Sequence, residues 1–121
     1  MAAGTLNLAL EQGATFRKTL TWKTGTPAAA VNLTGYTARM QLRSSPGAAT
    51  AAISLTDVAN AQGQLVLGGA AGTIEIYIKD SATMALTAGG VYDLELVSPT
   101  PTFDVTRLVQ GKYTLSLNVT I

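Results

Sequence analysis

The stretch from Val91 to Ile121 constrains the fold more than any other. Tyr92, Leu94 and Leu96 fall on one side of an extended chain, with Asp93 and Glu95 on the other. Further on, Tyr113, Leu115, Leu117, Val119 and Ile121 alternate with Thr114, Ser116, Asn118 and Thr120. Strand side chains project alternately to opposite faces, so a period of two builds one dry face and one wet face. Half-buried antiparallel strands carry that pattern. The segment predicts three consecutive strands, at residues 91–97, 102–109 and 112–121, with turns at Ser98-Pro99-Thr100-Pro101 and at Gln110-Gly111.

The rest of the chain repeats the theme. Leu6, Leu8 and Leu10 alternate inward over residues 5–10, before Glu11-Gln12-Gly13 breaks the run. Over residues 14–23, Phe16, Lys18, Leu20 and Trp22 oppose Thr15, Arg17, Thr19, Thr21 and Lys23. The charge of Lys18 on the apolar side predicts a place near a strand end, where its ammonium reaches water. Trp22 shares that side with Phe16 and Leu20 and is expected in the core. Thr24-Gly25-Thr26-Pro27 and Thr34-Gly35 are turns. Residues 36–43 form the cleanest strand, with Tyr36, Ala38, Met40 and Leu42 inward and Thr37, Arg39, Gln41 and Arg43 outward. A loop over residues 44–49 is the segment expected to be most mobile. Ile53 and Leu55 mark a short strand, and residues 57–62 a turn region closing at Gly63. Strands at 64–67 and 73–79 flank the glycine cluster from Gly68 to Gly72, a hairpin connection, with Ile74, Ile76 and Ile78 inward. Asp80-Ser81 offers an N-cap for a helical turn over residues 82–86, placing Met84 or Leu86 on the core.

Eight or nine short strands spaced roughly ten residues apart, with one short helical turn, define an all-β class. The architecture predicted is an Ig-like antiparallel β-sandwich of two facing sheets, with a closed barrel as the alternative. Residues 1–121 make a single domain, expected to have a radius of gyration of roughly 14 Å. Hydrophobic residues are 47% and charged ones only 12%, about half the usual charged share, so the chain has enough apolar surface for a core. A surface covered by Thr, Ser, Asn, Gln, Gly and Ala rather than charge favours self-contact and assembly.

The same residues exclude much chemistry. With no histidine and no cysteine, the usual nucleophile–base pairs and nitrogen or sulfur metal sites are missing. Lys79 and Ser81 flank a helix cap, with no sign of the burial that would activate a lysine. Asp93 and Glu95 stand about 7 Å apart on one strand face, a spacing a glycosidase pair could use, yet alternating acids on a wet face are commoner. Asp57 and Asn60 are too sparse for calcium. The Gly68–Gly72 cluster leads into a strand and lacks a following Lys-Ser/Thr, so it is not a phosphate loop. Asn32-Leu33-Thr34 and Asn118-Val119-Thr120 match the glycosylation pattern only as short strings. A net charge of +1 gives no strong hold on nucleic acid or anionic lipid. Arg39 and Arg43 flank Gln41, with Arg17, Lys18 and Lys23 expected near them, but the aromatics face inward rather than interleaving. No leader and no membrane-spanning run is expected, and the expectation is a non-enzyme with no cofactor, no metal, no nucleic acid and no membrane as partner.

Four blocks carry a resemblance: EQGATFRKTLTWK at 11–23, NLTGYTARMQLR at 32–43, residues 68–78, and VYDLELVSPTPTFDVTRLVQG at 91–111. Together, and in this order, they resemble a group of small tailed-bacteriophage virion structural proteins. More distantly, the LTG-strand arrangement is similar to the N-terminal domain of phage baseplate upper proteins, a β-sandwich adaptor joining a receptor-binding part to the tail. In departure from the latter, no long C-terminal extension, and so no receptor-binding head of its own, is expected of this chain. The resemblance implies a structural part of the virion, made in the bacterial cytoplasm. It would dock in multiple symmetric copies on other phage structural proteins at the tail, baseplate or fibre-attachment region. A capsid decoration protein, bound to the major capsid protein, is the alternative. A carbohydrate-binding module contacting the host envelope is another, and would need an exposed Trp22. Docking is expected through edge strands or loops by β-augmentation. The contact residues expected from exposure are Arg39, Gln41 and Arg43, the loop residues Ser44, Ser45, Pro46 and Gly47 (continuing to Ala49), and the N-terminal Ala2, Ala3, Gly4 and Thr5.

Overall fold

The computed structural model describes residues 4–99 and 102–119. In chain order its first strands are β1 (Gly4–Thr5), β2 (Leu8–Glu11), β3 (Phe16–Thr21), β4 (Lys23–Thr24), β5 (Ala29–Ala30) and β6 (Thr37–Arg43). There follow β7 (Ile53–Thr56), β8 (Gly63–Leu67), β9 (Thr73–Ile78), helix α1 (Asp80–Met84), β10 (Gly90–Val97) and β11 (Val105–Ser116). A 3-10 turn at Gly69–Ala71 joins β8 to β9, where the glycine cluster predicts a hairpin. Gly69 and Gly72 both take positive φ there, 62° and 70°, which is what the glycines are for.

The strands divide into two layers. The large sheet runs β1–β11–β10–β6–β7, with β2 also on β11, and the small sheet runs β3–β9–β8; β4 and β5 form a separate ribbon. This is the strand order of an immunoglobulin-like sandwich, GFCC′ facing BED, with the N-terminal strand placed on the G edge. No ladder joins the two sheets among the described residues, so the barrel alternative is not the form adopted. One departure from an all-antiparallel sandwich is clear: β1 and β2 run parallel to β11. They share one register, Thr5 with Gln110 and Leu8 with Tyr113, and act as a single interrupted strand.

Alternation does what the sequence predicts in the central strands. Ala38, Met40 and Leu42 of β6, Ile74, Ile76 and Ile78 of β9, and Tyr92, Leu94 and Leu96 of β10 are all buried. They meet Leu8, Leu10, Ile53, Leu55, Leu65 and Tyr113 in one apolar layer. Burying each such aliphatic side chain contributes about 1.5–3 kcal/mol, and with no cysteine this layer holds the sheets together. At one end, Thr83 is fully buried: its Oγ1 accepts from Gly13 N at 3.1 Å and lies 2.8 Å from the Ala14 carbonyl oxygen. That contact ties α1 to the turn after β2.

Several expectations need correction. Gln110-Gly111 is not a turn; β11 runs straight through it as one long strand. A Cβ on Gly111 would lie 2.3 Å from the Leu6 carbonyl oxygen, so glycine is there to admit the N-terminal strand. Leu117 and Val119 are 64% and 94% exposed rather than inward, because β11 ends at Ser116, level with the last residue of β2, and both residues lie beyond it. Ile121 lies outside the described residues. Lys18 sits in the middle of β3, paired with Ile76, and is exposed because β3 is an edge strand with one open flank. The helix starts earlier than expected, with Lys79 at the N-cap position and no side-chain cap; Leu86 is buried and Met84 is exposed. The run predicted at 14–23 is divided at Trp22, after which β4 turns back onto β5.

Candidate docking surface

The solvent-facing side of the large sheet is a grid whose rows can be read from the registers. Thr37, Val97 and Val105 form the upper row. Below it come Thr56, Arg39, Glu95 and Arg107, then Ser54, Gln41, Asp93, Gln110 and Thr5. The lowest row is Arg43, Val91 and Lys112. One irregularity makes the grid possible. A bulge between Leu94 and Glu95 leaves Leu108 as the extra residue of β11 and reverses its phase. Arg107 and Gln110 therefore both face outward although they are three apart in sequence.

Charge is matched in the middle of the grid. Arg39 Nε donates to Glu95 Oε1 at 2.7 Å, and Arg107 Nε lies 3.4 Å from Asp93 Oδ2. Arg107 Nη1 also donates to Gln110 Oε1 at 3.2 Å. In the lowest row Arg43 has only neutral acceptors: Nη2 and Nε donate to Gln41 Oε1 at 2.7 and 3.2 Å, and Nη1 donates to the Ala48 carbonyl at 2.8 Å. These solvated pairs add about 0–1 kcal/mol each, and their main effect is to hold the side chains in place. The upper end is apolar: Val105 is 51% exposed, and Phe103, in the preceding loop, is 59% exposed.

A shallow hollow of about 580 Å³ opens on the lower half of the face. Thr5, Gln41, Arg43 and Pro46, all expected contact residues, line it with Asp93, Arg107, Gln110 and Lys112. Arg39 stands on the same face, in the row of Arg107, without lining the hollow. Gly4 lies on β1 beside Val109, and Ser44, Ser45 and Gly47 are exposed in the β6–β7 loop without lining the hollow. Ala2 and Ala3 lie outside the described residues. Arg17 and Lys18 are not near this face, because β3 belongs to the other sheet; Arg17 instead stacks 4.1 Å over the Tyr77 ring and pairs with Glu75 at 3.0 Å. Arg107, Gln110 and Lys112 are not among the contact residues expected from the sequence, in which Gln110-Gly111 reads as a turn. The adjacent apolar pair Leu108-Val109, which interrupts strict alternation, was the available signal for the bulge.

Other chemistry is sparse. Among the described residues no group of three or more acidic side chains gathers, and no helix is long and apolar enough to cross a membrane. Trp22 is half-buried, packs on the core and meets Tyr36 edge-on at 6.1 Å. Burial pushes the Tyr92 phenol up to about 12, and its hydroxyl donates to the Leu6 carbonyl.

No known family and no curated protein matches this chain. Among solved structures it is similar to a chain from structure-based photo-crosslinking analyses of multimeric cell-adhesive interactions of VGSC beta subunits. That likeness has 12% identity and a TM-score of 0.47, and covers 99% of this chain and 98% of the other.

Proposed function

We propose that this protein is a structural docking module of a tailed-phage virion, held in symmetric copies against other virion proteins through the outer face of its large sheet. The observation that carries the reading is the grid itself. Arg39 stands in register with Glu95 and Arg107, Gln41 with Asp93 and Gln110, and Arg43 with Val91 and Lys112, on a stiff, three-strand platform. Side chains already fixed by mutual pairing lose little further entropy when a partner covers them. The resemblance of the four sequence blocks supplies the virion setting. Repetition of one modest contact around a symmetric particle multiplies its strength through effective concentration.

The test is a double replacement, Arg39→Ala with Arg43→Ala, in a phage that carries this chain. Incorporation into particles should fall severalfold while the purified variant keeps the wild-type circular dichroism spectrum. Unchanged incorporation would remove this face from the mechanism. Labelled antibody on intact virions then locates the copies: a dozen or fewer at the tail fits the adaptor reading, and hundreds over the head would make it a decoration protein.

A further inference from the structure

The lower row of the grid carries charge that no carboxylate pairs with among the described residues. Four cations, Arg39, Arg43, Arg107 and Lys112, share the outer face with two carboxylates, and both carboxylates are taken by Arg39 and Arg107. Arg43 is bonded to neutral oxygens only, and Lys112 has no side-chain partner among the described residues. Both flank Val91 in one row, so their Cα atoms are two strand spacings apart, about 10 Å. Long side chains from both can close on one anionic group over Val91. The hollow beneath them is walled by Pro46 on one side and by Thr5 and Gln110 on the other.

From this arrangement we propose that the hollow receives an acidic, extended polypeptide segment of a partner protein, with one carboxylate seated between Arg43 and Lys112. The proposal rests on the reading of this face as a docking surface and adds the chemistry of what docks. Asp93 faces the same hollow. It disfavours a dense polyanion such as nucleic acid, which needs a continuous run of cations, and tolerates isolated carboxylates separated by neutral residues. An amide-rich rim of Gln41 and Gln110 suits the backbone of such a segment.

The experiment titrates the isotope-labelled protein with a blocked peptide of alternating Glu and Thr, and with its Gln-for-Glu counterpart, at low and high salt. The expected result is saturable shifts of the Val91, Gly111 and Lys112 amides by the acidic peptide alone. Affinity should fall about tenfold in Lys112→Gln and fall again with salt. No saturable shift, equal binding of the neutral peptide, or tighter binding of single-stranded DNA at the same amides would overturn the proposal. So would concentration-dependent self-association abolished by Lys112→Gln, which would make a second copy the occupant. Particle incorporation separates this idea from the broader one. If Lys112→Gln enters particles normally while the Arg39/Arg43 double variant does not, the docking face stands and the acidic partner is wrong. If neither change matters, the docking face itself fails.

Discussion

Gly111 and Tyr92 are paired neighbours in the large sheet, and each meets the same residue of the N-terminal strand. The Leu6 carbonyl lies where a Cβ of residue 111 would be, and it accepts the Tyr92 hydroxyl. Gly111→Ala should therefore push the N-terminal strand outward, at a cost of about 1–3 kcal/mol, visible as a lowered urea midpoint. Tyr92→Phe removes one hydrogen bond, worth about 1 kcal/mol. The phenol has a second consequence. It keeps its proton to about 12 in the folded protein, whereas an unfolded tyrosine loses it near 10.0. Stability is then fully present below pH 10 and is lost as the pH climbs toward 12, because the unfolded state releases its proton first. Tyr113, also raised by burial, acts with the same sign. Urea midpoints from pH 8 to 12 should fall steeply in the wild type and less in Tyr92→Phe. None of this was legible locally. Glycine after glutamine reads equally as a turn or as a close approach, and only Leu6, at the other end of the chain, decides which.

At the level of elements, the fate of sheet edges is what alternation could not reveal. The edge strand β7 is closed by side chains that imitate a neighbouring strand. Gln62 Oε1 accepts from Ser54 N at 2.9 Å, Gln62 Nε2 donates to the Ala52 carbonyl at 3.1 Å, and Asn60 Nδ2 donates to the Ser54 carbonyl at 3.0 Å. Covered edges resist strand addition from another molecule. Gln62→Ala should cost about 1 kcal/mol and increase self-association in sedimentation velocity; a variant as monodisperse as the wild type would show that the edge needs no cover. The opposite case is β3, open along one flank, where Lys18 in mid-strand performs the discouraging role by charge. A lysine among Phe16, Leu20 and Trp22 was visible in the sequence, but its placement was not, since burial depends on which strand stands at the edge. The strands that pair on both sides or pack centrally, β6, β9 and β10, were read correctly because their alternation is set by one buried face alone.

For the whole molecule, the pattern of polar and apolar residues specified two layers and the count of turns specified their scale. It did not say which strands share a sheet, and so it could not separate Arg17 from Arg39. That division matters for function, since it leaves one broad outer face bearing the matched grid and places Arg17, Glu75 and Tyr77 on the far side. If the large sheet is the docking face, contacts in the particle should be one-sided. A photoreactive amino acid placed at position 41, on the grid, should crosslink to another virion protein in assembled particles, and the same probe at position 19, on exposed β3, should not. Crosslinks from position 19 alone, or from neither, would contradict it.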